Sequence, residues 1–177
     1  MKKILAFMLT AAIAALSLAG CGGDAPAQST TESDSQAQSA AAESTGYNLA
    51  DIVTAVEQAN PVANARAIDD NYVQLDMLLT ADNILEYSGK VSNDQGNSAM
   101  ILALKAAEGK AAAVKAELEA YKANISSGGM YAEFADMEAM AKDARIVEKG
   151  DYLVMVVANT QGADYAQIDS ALDGALK

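Results

Sequence analysis

Cysteine and histidine supply many of the nucleophiles, proton shuttles and transition-metal ligands of proteins, and this chain is almost without them. It has one cysteine, Cys21, and no histidine. Ser-His-Asp and Cys-His arrangements are therefore excluded, and so are the common zinc sites. No phosphate-binding P-loop, dinucleotide-binding glycine fingerprint or nucleophile-elbow serine is present. What remains is carboxylate, hydroxyl and amine. Asp69, Asp70 and Asp76 with Asn71 cluster oxygens of the kind Ca²⁺ takes. Their spacing does not fit an EF-hand loop, and a capped, solvated turn explains them equally. The Ser92–Asn97 loop offers polar groups to a ligand, although Asn, Asp and Gly are also what a strand connection needs. Paired carboxylates cleave glycosides, but with 24 Asp and Glu in the chain some pair always stands at a workable distance. Trp is absent and Phe occurs twice, which removes the stacking platforms that often hold sugars. Met137 and Met140, at helical spacing, read as core filler. No catalytic residue, metal ligand or cofactor is assigned.

Cys21 is the one residue with an assignable chemical role. Lys2 and Lys3 precede an apolar run, Ile4 to Leu16, which leads through small residues to the cysteine. That is the layout of a secretory signal. The run is too short for a transmembrane helix, which needs about 20 apolar residues. Leu18-Ala19-Gly20-Cys21 resembles the lipobox of bacterial lipoproteins. There the thiol takes a diacylglycerol (palmitate is a usual acyl chain) and the preceding segment is cut away. The sequence thus predicts a signal peptide over 1–20 and a lipid-anchored protein on the outer face of the cell membrane. An acylated Cys21 leaves no free thiol, so the core must hold without a disulfide.

The net charge is −12, and loss of Lys2 and Lys3 makes it more negative still. Nucleic-acid binding, which needs Lys and Arg against phosphates, is disfavoured. So is electrostatic adhesion to anionic head groups. The acidity is that of a soluble surface protein. Residues 21–46 are rich in Ser, Ala, Gln and Thr and bury too little apolar surface to order. They read as a tether spanning roughly 25–30 Å as a flexible coil. Residues 47–177 are then one domain of ordinary size.

Within that domain, Asn48 caps a helix with Leu49, Ile52, Val53 and Val56 on one face, stopped at Asn60-Pro61. Residues 67–80 are ambiguous: Leu75, Leu78 and Leu79 suit a short helix, Asp69 to Asn71 a turn. Ile84 to Val91 reads as a strand, and Ala99 to Leu104, apolar on both faces, as a central one. A helix from Lys110 to about Asn124 carries Val114, Leu118, Tyr121 and Ile125. A shorter one carries Tyr131, Phe134, Met137 and Met140. Arg145–Glu148 and Tyr152–Ala158 form a hairpin turned at Lys149-Gly150. A last helix presents Tyr165, Ile168, Leu172 and Leu176. Hairpins separated by helices predict an α+β two-layer sandwich, an antiparallel sheet of about four strands with helices mainly on one face.

The apolar strand Met100–Leu104, the helix Val114–Tyr121, Tyr131 and the run Val147-Glu148-Lys149-Gly150-Asp151-Tyr152 into Val154 and Val156 carry a resemblance. Over most of 49–176 the chain resembles a family of small secreted lipoproteins of clostridia-like Gram-positive bacteria, known as a domain of unknown function. Acidic residues are common in that family just before the second strand, where Asn97-Ser98 stand here. The resemblance implies a compartment and an architecture, with no activity and no site residues to carry over. Two readings follow. The first is a non-enzymatic module binding a protein, peptide or small molecule, joined to the membrane through diacylglycerol on Cys21. The alternative is a carboxylate-based hydrolase acting on cell-wall or glycan material.

Overall fold

The fold is built around two strands that are apolar on both sides. A computed structural model describes residues 46–128, 132–162 and 164–177. In chain order the elements are α1 (Leu49–Ala59), β1 (Ala65–Ala67), β2 (Ile84–Ser92), β3 (Met100–Ala106), α2 (Ala111–Ile125), α3 (Ala135–Lys142), β4 (Arg145–Lys149), β5 (Tyr152–Val157) and α4 (Tyr165–Ala175). The strands form one sheet of order β1-β2-β3-β5-β4, antiparallel throughout. Successive side chains on a strand point to opposite faces. Leu102, Leu104, Leu153 and Met155 therefore pack on one side, under α2 and α3. Ile101, Ala103, Val154 and Val156 pack on the other, under α1 and α4.

The α+β class, the antiparallel sheet and the helices packed on it are as expected. Two details differ. The sheet has five strands rather than about four, because β1 is three exposed residues, Ala65-Arg66-Ala67, with no apolar alternation to announce it. The helices also divide between both faces instead of lying mainly on one. The reason is local: β3 and β5 are buried on both sides, and each apolar face needs its own cover.

The helices on the α1–α4 face follow the amphipathic pattern closely. The Asn48 side chain accepts from the backbone N–H groups of Ala50 and Asp51, and Leu49, Ile52, Val53 and Val56 are buried. Asn60 does more than end α1. It is 0% exposed, its Nδ2 donates to the Val157 carbonyl at 2.9 Å, and its Oδ1 accepts from Asn159 N–H at 2.9 Å. One amide thus joins the end of α1 to the end of β5, with both ends of the buried side chain hydrogen-bonded. Asp164 caps α4 through Ala166 N–H, and Ile168, Leu172 and Leu176 pack on the sheet. The Tyr47 hydroxyl donates to the Leu176 carbonyl at 2.9 Å, and its ring meets Tyr152 edge-on at 5.2 Å.

The other face is less regular. Residues 67–80 hold a five-residue π-helix, Tyr72–Asp76, started by the Asp69 carboxylate accepting from Tyr72 N–H. Tyr72, Val73, Met77 and Leu79 are buried, while Leu75 and Leu78 are 70% and 71% exposed. The stretch left open between helix and turn holds a short helical turn, with Leu79 of its three leucines buried, and Leu78 takes a φ of 58°. Glu117 of α2 clasps the next turn by accepting from Thr80 N–H and Asn83 Nδ2. Val114, Leu118 and Tyr121 are buried as expected. Phe134 is not on the core stripe of α3: it precedes the helix in a 3₁₀ turn and is 40% exposed, and Ala141 carries the burial instead. Tyr131 lies outside the described residues.

Geometry asks for glycine at Gly150 and at Gly89. Gly150 sits at a φ of +61° in the β4–β5 turn, as expected, with Lys149 opposite Tyr152. At Gly89 in β2 a Cβ would stand 2.7 Å from the Ile101 carbonyl oxygen and 2.8 Å from Ile68 Cδ1. No side chain fits there without moving backbone.

Candidate functional site

Where β2 ends and β3 begins, the sheet and the last turn of α2 leave a cleft of about 230 Å³. Its floor is apolar: Val91, Met100, Ile125, Met137, Ala141 and Val157. Its rim is polar: Arg66, Tyr72, Tyr121, Ser92, Asn97 and Ser98. The volume falls just below the usual range of small-molecule pockets, about 300–1,000 Å³. Any occupant is small.

The rim comes from elements far apart in the chain. Arg66 projects from the edge strand β1, and its guanidinium lies over the Tyr72 ring at 4.8 Å from the centroid, within cation–π range. Tyr72 sits in the π turn and Tyr121 on α2, and their hydroxyls share a hydrogen bond of 2.9 Å. Burial raises the pKa of Tyr72, and burial with the neighbouring Tyr72 phenol raises that of Tyr121 well above the ordinary value. Both are neutral phenols at pH 7, able to donate or accept but not to act as a base.

The Ser92–Asn97 loop is tied down from all sides. Ser92 Oγ donates to the Ala63 carbonyl and accepts from Asp94 N–H. Ser98 Oγ donates to the Ala158 carbonyl at 2.7 Å, and Thr160 Oγ1 donates to the Gly96 carbonyl at 2.7 Å. Asn97 is 5% exposed, and its Oδ1 accepts from Ala99 N–H at 2.9 Å. The loop read from sequence as a possible polar ligand site does line a cleft, through Asn97 and its neighbour Ser98.

The other candidates are not brought together. Asp69 caps the π turn, and Asp70 accepts from the Tyr87 hydroxyl, which is pushed up to about 12 by burial and that carboxylate. Among the described residues no three Asp, Glu, Cys or His side chains stand close enough to hold a metal ion. Met137 lines the cleft floor, while Met140 packs at the edge of both cores. Among the described residues no carboxylate lines the cleft, nor a second, shallow groove between α1 and α4 walled by Ala55, Gln58, Ala59, Gln167, Ser170 and Gly174. Cys21 lies outside the described residues. Among those residues no helix is long and apolar enough to cross a membrane.

Sequence reasoning missed Arg66 and Tyr72 as rim residues. Tyr121 was visible only as part of a core stripe. The family described as a domain of unknown function, DUF4358, matches residues 49–158. The chain belongs to the DUF4358 family. That match spans the sheet, α1 to α3 and every residue of the cleft. No curated protein and no solved structure matches the chain. The DUF4358 domain here ends one residue past β5, so α4 completes the second face from outside the matched segment.

Proposed function

We propose that this DUF4358 protein is a lipid-anchored extracytoplasmic lipoprotein whose domain binds a small molecule without transforming it. The observation that carries the binding reading is the cleft: an apolar floor beneath a polar rim, with no carboxylate, thiol or imidazole among the described residues that line it. Its phenols are held neutral by burial and its serine hydroxyls are engaged by backbone. Such a site can grip and orient a ligand, and lacks a group poised to take or give a proton.

The anchoring reading rests on Lys2, Lys3, the apolar run and Leu18-Ala19-Gly20-Cys21. Radiolabelled palmitate should enter the protein in a host cell and fail to enter Cys21→Ser, which should be released or stall in maturation. Normal anchoring of Cys21→Ser would sink that half of the proposal. For the binding half, the purified protein should bind ligands at the cleft and show no turnover on peptidoglycan or glycans. Hydrolysis that disappears on replacing a pair of acids would establish the hydrolase instead.

A further inference from the structure

The domain contains two arginines, and they are built alike up to a point. Arg145 stacks on the Tyr165 ring at 4.2 Å and is held in a two-pronged ion pair by Asp169, Nε to Oδ1 at 2.7 Å and Nη2 to Oδ2 at 3.1 Å. Arg66 stacks on Tyr72 at 4.8 Å and then the likeness stops. Among the described residues it has neither an ion-pair nor a hydrogen-bond partner, although the chain holds 24 acids against 12 bases. Stacking occupies one face of a guanidinium and leaves its in-plane donors free, and a planar carboxylate is what that fork matches.

A second, independent group points the same way. Asn97 is 95% buried on the wall of the same cleft. Its Oδ1 is fixed as the acceptor of Ala99 N–H, so its other end must be the Nδ2 donor, which has no partner among the described residues. The hydroxyls of Ser92 and Ser98 are already spent on backbone carbonyls. The fold satisfies its own oxygens here and leaves two nitrogen donors over an apolar floor.

Resting on the reading of this cleft as a binding site, we infer that its ligand is a small carboxylate with an apolar body. The carboxylate is received by Arg66 and Asn97, and the body lies on Met100, Ile125 and Val157. The net charge of −12 does not forbid this, because exposed charges beyond about 8 Å are screened at physiological salt. Asp76, which both phenols feel electrostatically, does not line the cleft.

The test is a titration of the purified full chain, followed by amide shifts of Asn97, Ser98 and Met100. Its probes are hexanoate, hexan-1-ol, hexylammonium and inorganic phosphate. Hexanoate should bind at least about tenfold more tightly than hexan-1-ol or phosphate, the scale of one charge-assisted contact, and hexylammonium should not bind. Arg66→Ala should remove the preference for hexanoate over hexan-1-ol, and Arg66→Lys should restore part of it. Asn97→Asp keeps the acceptor for Ala99 N–H and replaces the free donor with a negative oxygen, so it should abolish hexanoate binding in a folded protein. Equal binding of hexanoate and hexan-1-ol, unchanged in Arg66→Ala, would overturn the carboxylate inference and leave the cleft as an apolar site. Phosphate binding as tightly as hexanoate would overturn the apolar body. No shift at those amides with any probe would remove the cleft reading itself.

Discussion

Each face of the sheet is covered by two α-helices, in different ways. On one, α1 and α4 lie side by side, each with a regular apolar stripe, and Asn60 ties the end of α1 to the end of β5. On the other, α2 shares the cover with a π turn, two 3₁₀ turns and the short α3, and the phenols of Tyr72 and Tyr121 replace aliphatic filling. The regular pair leaves only a shallow groove between its helices, and the irregular cover leaves the cleft. The first face is closely covered, and the second is indented by the cleft.

That contrast makes graded predictions. Leu172→Ala, in the closed face, should cost about 3–5 kcal/mol in urea unfolding, whereas Ile125→Ala, half-buried on the cleft floor, should cost about 1 kcal/mol or less because the space is already open. Equal costs would erase the distinction between the faces. Asn60→Ala strands the Asn159 N–H and the Val157 carbonyl and should cost about 2–3 kcal/mol. Gly89→Ala forces a shift against the Ile101 carbonyl and should cost about 1–3 kcal/mol, read from the same unfolding curves.

The paired phenols of the cleft face give a pH signature. Tyr72 and Tyr121 have folded-state pKa values raised above 10.0 by burial. The fold favours the neutral phenol, so this stability is intact below pH 10 and is lost as pH rises through the raised values. A Tyr72→Phe, Tyr121→Phe double variant should flatten the alkaline limb of a stability–pH profile. The smallest effect belongs to Arg145 and Asp169, whose side chains are 34% and 49% exposed. Asp169→Asn should cost about 0.2–1 kcal/mol. Its pKa is lowered by Arg145 below 3.8, so the pair's contribution is present above that value and fades as pH falls through the depressed one.

How legible the fold was in the sequence follows the same division. The α1 stripe, the Asn48 cap, the Gly150 turn and the α4 stripe are local patterns of period and turn chemistry, and each stands where it was read. The cover on both faces also had a signal, since a strand apolar on both sides, as over Ala99–Leu104, requires two layers of helix. The site had none. Arg66 stands on a strand of three residues, Tyr72 in a π turn, Asn97 in a loop and Tyr121 on a helix, and only tertiary packing gathers them. The stretch over 67–80, open between helix and turn in the sequence, is settled by the burial of Tyr72, Val73, Met77 and Leu79.

The bond from Tyr47 to the Leu176 carbonyl has a topological consequence. In path, the folded chain is nearly a ring, its first and last turns joined by one hydrogen bond. A short linker from Lys177 to Gly46 would close it, and the backbone could then be opened at Gly109, an exposed turn glycine between β3 and α2, without displacing a strand.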